Sequence, residues 1–161
     1  MGELRIAVLT CSDTRSAGEA EDTAGHLLKA LIEEAGWSVA AYRIVPDDRS
    51  RIAAEIIEMC DVAKADVVLT CGGTGLSPRD VTPEATLDAC DRPVPGIAEH
   101  IRAESSRVTL RAMLSRATAA QRGNAVVINL PGSEKAARET FGFIAGQLPH
   151  AVDMAHGGGH G

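Results

Sequence analysis

The sequence predicts an α/β fold, with a mainly parallel sheet covered on both faces by helices. Three observations lead there. Short aliphatic and β-branched runs recur along the chain, segments with helically spaced apolar residues separate them, and polar or glycine-bearing clusters follow the runs. Strands alternating with helices imply βαβ units and parallel pairing. In such sheets ligands bind beyond the carboxyl ends of the strands.

Arg5 to Thr10 (RIAVLT) is the first predicted strand, ended by Cys11-Ser12-Asp13-Thr14, with a small-residue loop from Arg15 to Glu21. From Asp22 the pattern turns helical: Leu27, Leu28, Leu31 and Ile32 share a face, and Gly36 suits the position just past the helix end. Val39 to Val45 is the second strand, Pro46-Asp47-Asp48 a turn, and Ser50 to Val62 a helix with Ile52, Ile56, Ile57 and Cys60 inward. Asp48 reads as a helix-entry residue. The third strand begins at Val67. After a helix beginning at Thr82, Arg92-Pro93-Val94-Pro95-Gly96 is a break. Ile97 to Ser106 reads as helix, and Val108 to Ala120 as weakly helical or irregular. Ala125 to Leu130 (AVVINL) is the fourth strand, and Ser133 can cap a helix through Leu148 that Pro149 interrupts. The expected domain is 1–154, with 155–161 a flexible tail ending in HGGGHG.

The most informative stretch is Val67 to Leu87, VVLTCGGTGLSPRDVTPEATL. A continuous apolar run suits a strand buried on both faces. Gly72, Gly73 and Gly75 permit positive φ and close approach of a ligand. Thr82 suits an N-cap, Pro83 the first helical position, and Glu84 the positive end of the helix dipole. Together they describe an anion cradle, in which backbone N–H groups, Thr74, Ser77 and Arg79 would meet a phosphate. A glycine loop also serves ordinary turns, and neither GxGxxG nor a GK[ST] ending is present.

Asp80 can cap, or pair with Arg79; as a carboxylate beside a phosphate it would repel the ligand unless Mg2+ intervenes. Asp47, after another strand, can supply a second carboxylate or simply turn the chain. Asp13 and Asp22 carry the same two readings. The histidines form no catalytic set: His26 and His100 fall within helices, while His150, His156 and His160 belong to the terminus. Cys71 reads as a packed thiol.

With 161 residues, 45% apolar and 24% charged, the chain fits one soluble domain. A net charge of −6 and 2% aromatic residues argue against nucleic-acid binding. No apolar run approaches the roughly 20 residues that span a bilayer. Four scattered cysteines without a CxxC pair and the lack of a signal pattern point to a reduced, cytoplasmic protein.

The segment Thr70 to Thr86, TCGGTGLSPRDVTPEAT, resembles the signature of molybdenum-cofactor biosynthesis proteins of the MoaB/MogA type, the molybdopterin adenylyltransferase family. Cys11-Ser12-Asp13-Thr14, Asp22-x-x-Gly25, Pro46-Asp47-Asp48, Leu114-Ser115-Arg116 and Asn129 to Ser133 follow in the family's order. The related competence-damage domain, with GGLGPTxDD at this loop, fits less well. The resemblance implies a three-layer α/β/α sandwich of the molybdopterin-binding type, assembled as a homotrimer or a hexamer. It implies Mg2+-dependent transfer of AMP from ATP to the terminal phosphate of molybdopterin, releasing pyrophosphate. Asp47 and Asp80 would be catalytic and hold the metal. Asp13, Gly72, Gly73, Thr74, Gly75, Ser115, Pro131, Gly132 and Ser133 would bind substrate. A non-catalytic pterin-binding or assembly protein is the alternative, and other cofactor-biosynthesis proteins are possible partners. Glu134 departs from the pattern, which often has proline there, and the HGGGHG tail lies outside it.

Overall fold

A computed structural model describes residues 2–158 of the chain. Its strands are β1 (Arg5–Cys11), β2 (Ser38–Val45), β3 (Val67–Cys71), β4 (Arg92–Pro93), β5 (Ala119–Arg122) and β6 (Ala125–Leu130). Its helices are α1 (Asp13–Ser16), α2 (Thr23–Glu34), α3 (Arg49–Asp61), α4 (Thr82–Ala89), α5 (Pro95–Ser106), α6 (Glu134–Ile144) and α7 (Leu148–Ala155). The sheet order is β2-β1-β3-β6-β5-β4. β1 pairs in parallel with both β2 and β3, and β3 with β6; β4 and β5 are antiparallel additions at the other edge.

Strand alternation divides the core into two layers. Ile6, Val8, Leu69 and Ile128 face α2, α5, α6 and α7, meeting Leu28, Ile32, Ile101, Phe141, Ile144 and Val152. Ala7, Leu9, Val68 and Val127 face α3 and α4, meeting Ile52, Ile56, Met59, Ala85 and Ala89. The expected three-layer sandwich is therefore present. Each fully buried Leu, Ile or Val contributes about 1.5–3 kcal/mol by leaving water.

Capping sets several of the helix boundaries. Asp22 Oδ1 accepts from Gly25 N at 3.0 Å, Asp48 Oδ1 from Arg51 N at 3.1 Å, and Ser133 Oγ from Ala136 N at 3.2 Å. Gly36, at φ +84°, ends α2 where the sequence placed it.

Four expectations need correction. Arg15 lies inside a short helix, not a loop, because Ser12 Oγ accepts from Arg15 N at 3.2 Å and starts a turn immediately after β1. Thr82 does not cap α4: Val81 occupies that position without a side-chain bond, Thr82 opens the helix and Pro83 is second. The stretch from Val108 is a 3-10 turn at Leu110–Leu114 followed by β5, which forms a hairpin with β6 across Gly123-Asn124. Propensity alone does not mark Ala119-Ala120 as strand; the exposed edge of β6 does. Pro149 stands second in a new helix, which Leu148 opens, instead of ending one, since a proline is tolerated where the first-turn N–H groups have no partner. α7 carries His150 with it and runs to Ala155, while His156 Nε2 lies 3.4 Å from Asp66. Of the expected tail, 155–161, Ala155 is the last residue of α7, and 159–161 lie outside the described residues.

A buried polar knot joins the parallel and antiparallel halves. Asn129 Nδ2 donates to Thr70 Oγ1 (3.0 Å) on β3 and to Thr86 Oγ1 (2.9 Å) on α4, while its Oδ1 accepts from Thr118 N at 3.1 Å. Asn129→Leu leaves the Thr118 N–H and two hydroxyls without these partners. It should lower unfolding stability by about 2–3 kcal/mol in urea denaturation, whereas Thr86→Ala, which removes one acceptor, should cost about half that.

Candidate functional site

The order in which strands are added reverses at β1, all of them parallel: β2 lies on one side of β1, and β3 and β6 on the other. The crevice beyond this switch point is where such sheets bind ligands. Four segments meet there: Ser12-Asp13 after β1, Pro46-Asp47 after β2, Gly72 to Asp80 after β3, and Pro131 to Ser133 after β6.

Backbone packing brings the glycine loop in. A Cβ on Gly72, whose φ is +99°, would stand 2.4 Å from Cys11 O; one on Gly73, at φ +71°, would stand 2.2 Å from Thr82 Oγ1. Those two glycines are needed for close chain packing rather than only for access by a ligand. Gly132 fits the same seam, its Cβ position being 3.2 Å from Gly72 Cα. Thr74 and Gly75, by contrast, line a cavity of about 570 Å³ shared with Ser115, Pro131 and Ser133. The glycine loop stands between that cavity and the carboxylates.

Asp13 and Asp47 clasp each other. Asp13 N donates to Asp47 Oδ2 at 3.1 Å, and Asp47 N donates to Asp13 Oδ1 at 3.0 Å, locking β1 to β2. Arg79 reaches across the site and donates Nε and Nη2 to Asp13 at 3.0 and 2.8 Å. Its partner is Asp13, not its neighbour Asp80, and the pair engages Nε and Nη2. The Arg79 fork holds the Asp13 carboxyl below the usual range, helped by the Asp47 N–H. Asp13 thus ties the ends of β1 and β2 to Arg79 at the site's edge. Burial pushes the Asp47 carboxyl up, and the nearby charges of Asp13 and Asp80 add to that.

Asp80 sits at a turn where its N–H donates to Ser77 O at 2.9 Å and its Oδ2 accepts from Ser77 N at 3.0 Å. The same Oδ2 is 2.9 Å from the point where a Cβ on Gly75 would stand. Arg116, whose sequence context does not reveal its task, holds this turn against the loop. Its Nε donates to Gly75 O (2.8 Å), Nη2 to Asp80 O (2.7 Å) and Nη1 to Glu84 Oε2 (2.6 Å); its N–H donates to Thr74 O (2.8 Å). The acidic first turn of α4 is the one signal that a cation had to come from elsewhere.

Among the described residues, two buried side-chain polar atoms lack a hydrogen-bond partner: Asp47 Oδ1 and Thr82 Oγ1, both beside Gly73. An orphaned carboxylate oxygen with a second carboxylate nearby is a fitting hard-oxygen donor set for Mg2+, which takes one or two carboxylates and completes its shell with phosphate and water. No group of three or more His, Cys, Asp or Glu among the described residues forms a self-sufficient metal cage. Burial pushes the Cys71 thiol up to about 12 and makes it unsuited to nucleophilic attack. No described helix is long and apolar enough to cross a membrane.

The family described as "probable molybdopterin binding domain" matches residues 7–150. The molybdopterin adenylyltransferase of Helicobacter pylori strain J99 is 38% identical over 159 residues, covering 98% of this chain and 90% of that protein. The Drosophila melanogaster molybdenum cofactor synthesis protein cinnamon is 41% identical over 96% of this chain, which spans only 26% of that longer protein. The crystal structure of the molybdopterin biosynthesis enzyme MoaB from Thermus thermophilus superposes with a TM-score of 0.89 at 42% identity, covering 96% of this chain and 97% of that one. The seam of glycines, the clasped aspartates and the adjoining cavity thus belong to a chain that is a member of the molybdopterin-binding domain family.

Proposed function

We propose that the protein is a molybdopterin adenylyltransferase, transferring AMP from ATP to the terminal phosphate of molybdopterin. The observation that carries this reading is the pair of carboxylates, Asp47 and Asp80, ending different segments around one glycine loop beside a cavity large enough for a pterin. The name of the Helicobacter relative, similar across nearly its whole length, supports the same activity.

In the reaction a phosphate oxygen of the pterin forms a bond to the α-phosphorus of ATP. The bond from that phosphorus to the bridging oxygen breaks, and pyrophosphate leaves with the electron pair. Such transfers depend on positioning and on balancing charge. Ser115, Pro131 and Ser133 line the pterin cavity, while Thr74 and Gly75 wall it from the carboxylates. Gly72, Gly73 and Gly132 keep the seam narrow enough for backbone groups to approach the phosphates. Asp47 and Asp80 would hold Mg2+, which supplies charge neutralisation of the phosphates when bound. Arg116 keeps Asp80 and Gly75 in register through their carbonyls.

The protein is further proposed to act in the cytoplasm, consistent with four free thiols, and to self-associate as a homotrimer or hexamer. Supporting self-association, Leu110, Met113 and Leu114 are 78%, 74% and 53% exposed on one turn. Light scattering should give three or six chain masses, and Leu110→Glu with Met113→Glu should dissociate the assembly.

Incubation with molybdopterin and Mg-ATP should yield adenylylated pterin and pyrophosphate by mass spectrometry; pterin binding without any adenylate under saturating ATP rejects the catalytic reading. Asp80→Asn should lower kcat by about 10³-fold or more while pterin affinity changes by less than about threefold. Arg116→Lys keeps the charge but loses the fork, and should lower kcat by about 10- to 100-fold through misplacement of Asp80.

A further inference from the structure

The strand ends carry more carboxylate than available cation. Asp13, Asp47 and Asp80 stand together, while Arg79, its side chain 65% exposed, is paired with Asp13 through Nε and Nη2, and Arg116 with Gly75, Asp80 and Glu84. Arg15 differs. Its side chain is only 21% exposed, and its Nε is tethered to Glu21 O at 3.3 Å. The Nε also lies 3.9 Å from Asp22 Oδ1, close enough to balance charge but too far for a hydrogen bond. Asp22 is already occupied: it accepts from Thr10 Oγ1 at 2.6 Å, Tyr42 Oη at 2.5 Å and Gly25 N at 3.0 Å. Among the described residues, neither Nη of Arg15 donates a hydrogen bond; its one side-chain bond is through Nε.

The free end points to the site. Arg15 Nη1 is 3.8 Å from the position a Cβ on Gly132 would take, and that position is 3.2 Å from Gly72 Cα. A guanidinium anchored at Nε and largely out of water, with its outer donors unspent, is poorly used by the protein alone. It is well arranged for a doubly charged tetrahedral anion, which accepts two parallel N–H bonds. The absence of a side chain at Gly132 keeps the approach between them open.

We propose that Arg15 recognises a substrate phosphate at the Gly72–Gly132 seam and selects phosphorylated over unphosphorylated ligands. This rests on the adenylyltransferase reading for the identity of the ligands. The chemistry is shared by the pterin's phosphate monoester and by the triphosphate of ATP, and the experiment separates them. Arg15 contributes binding and discrimination, and takes no proton in the reaction.

The test is calorimetric titration of the full chain, wild type, Arg15→Gln and Arg15→Lys, with molybdopterin, its dephosphorylated form, and the Mg2+ complex of α,β-methylene-ATP. Arg15→Gln should weaken one phosphorylated ligand by about 10- to 100-fold, leave the dephosphorylated pterin within about twofold, and be partly rescued by Arg15→Lys. A loss confined to molybdopterin assigns the pterin phosphate; a loss confined to the ATP analogue assigns the triphosphate. Unchanged affinity for both, or an equal loss for phosphorylated and dephosphorylated pterin, overturns the proposal. Should Arg15→Gln fail to fold, Arg15→Lys carries the same comparison, with a smaller selective loss expected and no loss overturning it. A wild type that binds neither pterin rejects the adenylyltransferase reading, while the ATP arm still decides the role of Arg15.

Discussion

The site depends on one close approach, that of the Gly72-Gly73 backbone to the end of β1. No side chain fits at either position: Cys11 O occupies the space beside Gly72, and the Thr82 hydroxyl the space beside Gly73. Both residues hold positive φ, which glycine adopts without the penalty a Cβ would bring. With the loop pressed so tightly onto β1, the ends of β2 and β6 also come within reach. Gly72 N donates to Leu130 O at 3.1 Å and Ser12 N to Val45 O at 2.9 Å, continuing the ladders past the last strand residues. The crevice is therefore an extension of the sheet, and it inherits the sheet's rigidity.

Charge is then distributed over that frame. Asp13 and Asp47 exchange N–H donors across β1 and β2, and Arg79 closes over Asp13. What remains is asymmetric: Asp13 is compensated, while Asp47 keeps one oxygen buried without a partner. A carboxylate left in that state is costly unless a ligand completes it. Arg116 performs the complementary task for the other half of the loop by gripping carbonyls, which holds the Asp80 turn while leaving its carboxylate outside the grip. The arrangement spends binding groups on geometry and leaves the groups that would meet phosphate unspent.

Elements read well from sequence where one physical signal dominated. β1, β3 and β6 are continuous apolar runs buried on both faces, and Asp48, Gly36 and Ser133 occupy the boundary positions their side chains favour. Elements read poorly where pairing decided. β5 contains Ala119-Ala120-Gln121-Arg122, no strand former among them, and exists because β6 offers an edge. Thr82 has the composition of a cap but not the position, since its hydroxyl faces Gly73 instead of the α4 amides. Arg79 beside Asp80 suggests a local pair, yet the guanidinium reaches Asp13, 66 residues away in the chain.

By itself the sequence determined the layer order, the strand ends at which polar residues gather, and the glycine loop running to Asp80, while Asp47 read equally as a turn residue and joined the site only through the family resemblance. Those features follow from local periodicity, turn chemistry and the rule that parallel sheets bind at their carboxyl ends. Tertiary structure decided how each charge is used. Which groups Asp13 pairs with, whether Arg116 faces solvent or pins the loop, and whether the Nη groups of Arg15 find a partner depend on which acceptor lies within about 3 Å. Those acceptors come from segments tens of residues apart, brought together only when the sheet forms. No local pattern in the chain encodes them.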